Sequence, residues 1–251
     1  MTYCLAASVN DGLVFVSDSR TNAGIDQLGT FSKMHAFPDM PGRFFTLLSA
    51  GNLATTQSVV AQLRRDIRNN AELSLASVST MREAADYVGD ISRQIQYKYA
   101  EKDREQGFSP DADFILGGKI GAAPPALFHI YPQGNYVSPT ELAPFLQIGE
   151  QKYGKPILDR MITVDTDLET VARCGLVSMD STMRSNASVG PPIELLIFNA
   201  SSPGSHTHIV YSENDAYLRE IREAWAKNLR QAFEQLPPLV MPRSKVRLVD
   251  S

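Results

Sequence analysis

The chain has 251 residues, 43% hydrophobic and 21% charged, which is the composition of a globular fold with a sizeable core. Lys+Arg 24 against Asp+Glu 28 gives a net charge of −4, so no excess of positive charge points to nucleic acid. No apolar run approaches the ~18 residues of a membrane span, the start carries no basic leader, and Cys4 and Cys174 make neither a disulfide framework nor a zinc site. The expectation is a cytoplasmic protein with no membrane or nucleic-acid partner, no metal and no cofactor.

In chain order, Thr2 to Val9 and Leu13 to Ser17 are short apolar runs on either side of Asn10-Asp11-Gly12, a strong hairpin signal. Both faces of both runs are apolar or small, which predicts a sheet covered on its two sides. Phe44 to Ala50 reads as another buried strand, ending at Gly51. Helical periodicity follows over about residues 52–69, with Leu53, Val60, Leu63 and Ile67 on one stripe. A longer helix is predicted over about 78–105, with Met81, Ala85, Val88, Ile91, Ile95 and Tyr99 in register. Strands are expected at 112–120, 126–131 and 145–148, helices at 155–161 and 167–183, then strands at 193–198 and 207–211. Residues 214–235 close the pattern as an amphipathic helix (Leu218, Ile221, Trp225, Ala232 and Leu236) before a Pro-rich tail. Segregated helices and hairpins predict an α+β fold. Two sheets packed face to face with helix pairs outside, a four-layer αββα sandwich, satisfy the two-faced burial. Residues 2–211 read as one domain and 212–251 as a C-terminal helix and tail.

Chemistry concentrates at the start. A methionine followed by a small residue is the context in which the initiator is removed, and Thr2 then carries a hydroxyl and a free α-amine. An α-amine titrates near 7.7–8.0, so it can serve as base to a hydroxyl that is a poor nucleophile alone. Taken by itself such a terminus is commonplace. A three-residue Asn10-Asp11-Gly12 loop, with Gly12 left-handed, makes residue i face residue 22 − i, setting Thr2 opposite Arg20 and Cys4 opposite Asp18. Thr2 and Asp18 then project to one side, whereas a two-residue loop sends Asp18 to the other face. Asp18 is either a polar strand end or a carboxylate holding a cation beside the nucleophile. Lys33, in Thr30-Phe31-Ser32-Lys33, is either solvated surface or that cation.

Thr2, Asp18-Ser19-Arg20 with Ala23-Gly24, Lys33, and Ser49-Ala50-Gly51 after a buried strand together resemble the proteasome β-subunit pattern. Met-Thr at the start and the long C-terminal helix look most like its bacterial branch called Anbu (ancestral β-subunit). The resemblance implies an N-terminal nucleophile hydrolase, a threonine peptidase acting on peptides or unfolded polypeptide. Thr2 would attack, Lys33 oriented by Asp18 would tune it, and the Gly51 amide would stabilise the oxyanion. Gly51 is expected to open the helix over 52–69, where amides are unpaired; a helix-start glycine needed only for the turn is the plainer reading. Substrate would add as a strand along Arg20-Thr21-Asn22 and Gly51, with Ser49 and Leu53 bordering the first specificity pocket. The resemblance also implies self-association into a homo-oligomer and leaves any unfoldase partner unknown.

The sequence departs from that family in two places. Gly149-Glu150-Gln151 stands where Gly-Ser-Gly is usual, and Asn186 replaces an aspartate in Ser185-Asn186-Ala187-Ser188, with Ser188 near the position of a serine. Glu150 is therefore a candidate holder of the Thr2 amine. Two rival functions follow: a small-molecule amidase using the same nucleophile, and a self-assembling protein of weak or no turnover. His206-Thr207-His208 puts two imidazoles on one strand face without a third ligand nearby, which favours edge-strand histidines over a metal pair. Cys4 reads as a small buried filler.

Overall fold

Tyr3–Val9 (β1) and Gly12–Asp18 (β2) form the expected hairpin and are buried almost throughout. The turn is tighter than the sequence predicts. Val9 pairs with Gly12 and Cys4 with Ser17, so the loop is the two residues Asn10-Asp11 and the expected Cys4–Asp18 register does not form. Gly12 lies in the strand pairing and not in the loop, and both its φ of +148° and close packing require glycine there: a Cβ would lie 2.0 Å from the Phe198 carbonyl oxygen.

The structure is a computed structural model that describes residues 1–22, 28–37, 40–102, 109–202 and 206–240. After the hairpin come Arg20–Asn22 (β3), Leu28–Thr30 (β4), Met34–Phe37 (β5), Arg43–Gly51 (β6), Leu53–Arg68 (α1) and Met81–Lys102 (α2). Then follow Ala112–Ile120 (β7), Ala126–Ile130 (β8), Tyr136–Val137 (β9), Phe145–Gly149 (β10), Lys155–Met161 (α3) and Leu168–Ser185 (α4). Ile193–Asn199 (β11), His206–Tyr211 (β12) and Ala216–Glu234 (α5) complete the order.

Helix starts follow capping chemistry. The Asn52 side chain accepts from the Thr55 amide, making Asn52 the cap of α1 and not its first turn. The α2 start lies later than the periodicity suggests because Thr80 Oγ1 accepts from Glu83 N–H while Glu83 reaches back to Ser79 N–H. Val78 stays apolar and buried, but in the loop before that box. The expected extension of this helix to 105 falls outside the described residues.

Two five-stranded antiparallel sheets carry the fold, ordered β10-β1-β2-β11-β12 and β5-β6-β7-β8-β9, while β3 and β4 pair separately. Strand alternation sorts the core into three. Leu5, Val14 and Val16 face Leu158, Leu176 and Met179 of α3 and α4. Phe45, Leu47 and Leu116 face Val59, Leu63 and Val88 of α1 and α2. Cys4, Ala6, Leu13 and Phe15 meet Met34, Phe44, Leu48 and Ile115 between the sheets. The result is an α+β fold of antiparallel sheets with its helices segregated, as the sequence predicts. Among the described residues, no helix is long and apolar enough to cross a membrane.

Candidate active site

At one end of the facing sheets a cavity of about 890 Å³ opens, and Thr2, Lys33, Ser49, Gly51 and Leu53 all line it. Arg20 and Thr21 line it too; the side chain of Asn22 lies outside the described residues. Asp18 does not reach the cavity wall. It is wholly buried behind Lys33, and its Oδ1 accepts from Lys33 Nζ at 2.7 Å and from Tyr3 N–H at 3.0 Å. Oδ2 takes the Gly190 amide at 3.2 Å.

The two-residue turn should have turned Asp18 toward the helix layer, with Val14 and Val16. Its carboxylate meets Lys33 nonetheless because β2 ends at Asp18 and the chain leaves the sheet for β3, so alternation no longer governs the side chain's reach. Burial pushes the Asp18 carboxyl above its ordinary value, while the Lys33 ammonium and the two amides pull it back. Lys33 Nζ also donates to the Arg20 carbonyl at 2.7 Å. The β3 start is pinned in turn by the Ser19 and Arg20 amides on the Gly190 carbonyl, and Arg20 Nη1 donates to the Ala187 carbonyl. One edge of β3 is occupied by β4, with Arg20 opposite Thr30.

Gly51 is the last residue of β6, opposite Ala112, and so precedes the cap instead of opening α1. Its φ of +101° and a would-be Cβ 2.4 Å from the Asp111 carbonyl oxygen require glycine. Its amide stands just ahead of the α1 N-terminus, where the helix dipole favours negative charge. Gly149, φ +81°, lies equally close beneath Thr2: a Cβ there would come 2.0 Å from the Thr2 carbonyl oxygen.

The departures noted in the sequence gather here. Glu150 N–H donates to the Thr2 carbonyl at 2.8 Å, and Glu150 Oε2 accepts from Asn186 Nδ2 at 3.1 Å. Asn186 Nδ2 also stands 4.0 Å from Met1 Sδ. Ser188 is not drawn into the cavity; its amide closes a turn on Asn186 Oδ1. Cys4 is fully buried, and burial pushes its thiol well up, which suits a filler.

Sequence reasoning missed His35, Gln57, Arg64, Asp113 and His129, which also line the cavity. His35 Nε2 lies 3.3 Å from Ser49 Oγ, and burial together with the Arg64 cation pushes its imidazole down to about 4. His129 Nε2 pairs with Asp113 Oδ1 at 3.0 Å. The only advance signal was the spacing of Leu53, Gln57 and Arg64 on one side of the α1 periodicity. The histidines of β12 lie on an edge strand as expected: His208 meets Glu194 at 3.0 Å, and His206 rests on the Phe44 ring. No group of three metal-ligating side chains occurs among the described residues.

No protein-family model and no curated protein matches the chain. Solved structures do. Anbu (ancestral beta-subunit) from Yersinia bercovieri is 42% identical, with a TM-score of 0.87 over 96% of this chain and 100% of that one. The Anbu complex from Pseudomonas aeruginosa, described as a helical assembly, is 43% identical, with a TM-score of 0.90 over 97% and 100%. Anbu from Hyphomicrobium sp. strain MC1 is 40% identical, with a TM-score of 0.83 over 96% and 100%. At such identity across nearly the whole length of both partners, the chain belongs to the Anbu family of ancestral proteasome-type β-subunits.

Proposed function

We propose that the protein is a threonine peptidase of the N-terminal nucleophile type, built on a four-layer αββα sandwich, in which Thr2 becomes catalytic when Met1 is removed. Thr2 Oγ attacks a peptide carbonyl and its proton passes to the Thr2 α-amine. The tetrahedral oxyanion is held by the Gly51 amide, a contribution of roughly 3 kcal/mol in comparable sites. Collapse expels the leaving amine, which takes the proton, and leaves an ester on Thr2 that water hydrolyses. Lys33, held in place by Asp18, lowers the cost of the negative charge that develops on Thr2 Oγ.

The observation that carries this reading is the buried Lys33–Asp18 pair, with Lys33 lining the cavity that Thr2 also lines. A charge pair of this kind is costly to bury for stability alone. Glu150, braced by Asn186 and bonded through its amide to Thr2, is the group best set to receive the liberated amine. Arg20-Thr21-Asn22 and Gly51 would flank an extended substrate, with Ser49 and Leu53 at its first side-chain pocket.

The protein is also read as self-associating. Leu218 and Ile221 seat the start of α5 on the core and Arg222 pairs with Asp180 at 2.6 Å, but Leu229, Phe233 and Leu236 further along are exposed. An amphipathic helix that leaves half its apolar face uncovered suits a subunit interface, in keeping with the helical assembly described for the Pseudomonas aeruginosa relative. That exposed face is also what favours the second reading, a scaffold with little turnover. Fluorogenic peptide hydrolysis by the processed protein and by Thr2→Ala decides between them. Turnover lost in the variant supports the peptidase; equal signals in both reject it.

A further inference from the structure

The residues lining the cavity lie on two faces of the sheet that contains β6, and we call the helix-side part of the cavity a lobe. Leu48 and Ala50 project between the sheets, whereas Leu47 projects to the helix side, so Ser49 belongs with Leu47 and faces α1. His35 lies opposite Leu47 in the β5–β6 ladder and bonds Ser49, placing it on that same side. The Asp113–His129 pair lies on the other face: Asp113 alternates with Ala112 and Phe114, which pack toward α1 and α2, and so shares its side with Ile115 between the sheets. The lining on the helix side includes His35, Ser49, Leu53, Gln57, Val60 and Arg64, and Arg64 is the charged side chain that α1 contributes.

We infer that this lobe selects an acidic side chain, glutamate in preference to glutamine or leucine, at the residue whose carbonyl Thr2 attacks, and that Arg64 sets the selection. Leu53, Gln57, Val60 and Arg64 follow one another at helical spacing down α1, starting beside Gly51. Arg64 is the deepest of them, about 16 Å of helix rise beyond Leu53, and helical side chains lean back toward the N-terminus. Its guanidinium lies at the foot of this wall, where Arg64 also borders a smaller cavity with Ala36, Phe37, Ile67 and Arg68. It packs 6.0 Å from the Phe37 ring centroid, and among the described residues no carboxylate lies within ion-pair distance of it. The imidazole of His35, held neutral, adds a hydrogen-bonding group and no competing charge. A long acidic side chain entering the lobe extends toward that cation inside a partly enclosed site, where water screens the attraction less than at an open surface. Glutamine fills the same volume without the charge, and leucine leaves the polar floor unpaired.

The inference rests on the assignment of Thr2 as nucleophile, and the test separates the two. Peptides ending in a free Glu, Gln or Leu carboxyl-terminal residue, mimicking the acyl product, are titrated onto the processed protein at low salt, and the matching fluorogenic substrates are assayed alongside. We expect the Glu peptide to bind about tenfold tighter than the Gln peptide, with the ratio falling to near one in Arg64→Gln, kept in Arg64→Lys, and shrinking as salt rises. Equal affinities for the Glu and Gln peptides, or a Glu preference that survives in Arg64→Gln, overturns the inference even if turnover is brisk. A Glu preference in binding without any hydrolysis keeps the inference about the lobe and rejects the peptidase reading.

Discussion

Lys33 Nζ lies 2.7 Å from Asp18 Oδ1, with the lysine side chain 9% exposed and the aspartate not at all. The pair couples folding to the cavity, because the lysine whose ammonium pairs with a buried carboxylate also lines the cavity that Thr2 lines. Lys33→Ala strands that carboxylate with only the Tyr3 and Gly190 amides. We expect a loss of roughly 3–5 kcal/mol in denaturant unfolding at neutral pH. Burial already raises the Asp18 carboxyl, so its charged form costs stability above its folded-state value. The deficit of the variant should accordingly shrink as the pH falls and the carboxyl takes up a proton. A deficit independent of pH contradicts this account.

Gly51→Ala meets a backbone obstacle on one side and an unfavourable φ on the other. The added methyl stands 2.4 Å from the Asp111 carbonyl oxygen, so the end of β6 must shift. We expect a stability loss of about 1–3 kcal/mol and a fall in acylation of at least about 100-fold, as the amide moves off the oxyanion. An Ala variant that acylates at the wild-type rate removes Gly51 from the mechanism.

His35 supplies a pH signature. Its imidazole is held down to about 4 in the folded state, chiefly by burial, against about 6.5 in an unfolded chain. The unfolded state therefore binds more protons between those values, and stability falls as pH drops from 6.5 toward 4, by up to roughly 3 kcal/mol. His35→Gln should flatten that part of the pH–stability curve. Unfolding midpoints measured from pH 7 to 4 for the two proteins check it.

Glu150→Gln tests how the liberated amine is held. The substitution keeps the side-chain volume and leaves the backbone bond to Thr2 untouched. We expect the rate of Thr2 acylation to drop about tenfold, with the optimum moving along the pH axis as the amine loses its carboxylate. Unchanged turnover would leave Glu150 a purely structural neighbour of Asn186.

Much of this site was legible because it is written in strongly patterned segments. Leu53, Val60 and Leu63 announce α1, and the apolar run before Gly51 announces β6. Asp18 shows the limit of such reading: the residue was right and the route was not. The hairpin turn was assigned from Gly12 as a left-handed loop residue, whereas that glycine answers to β11 packing on it across the sheet, a contact no local pattern reveals. The strands β3, β4, β5 and β9 were missed because two to four residues carry no usable periodicity, and among the described residues β3 and β4 pair only with each other. Gln57 and Arg64 escaped notice for a different reason. On an amphipathic helix every residue off the core stripe reads as solvated surface, and whether that face meets water or a cavity depends on where the second sheet edge stops. His129 and Asp113 come together across β7 and β8 only once the ladder register is known.

Intact-mass analysis of the purified native protein, before and after exposure to a peptide vinyl sulfone or β-lactone, addresses the mechanism most directly. The account predicts a chain lacking Met1 that gains one adduct, mapped to Thr2 and absent from Thr2→Ala. A chain that retains Met1 in its native form, or one that takes up label equally after Thr2→Ala, contradicts it.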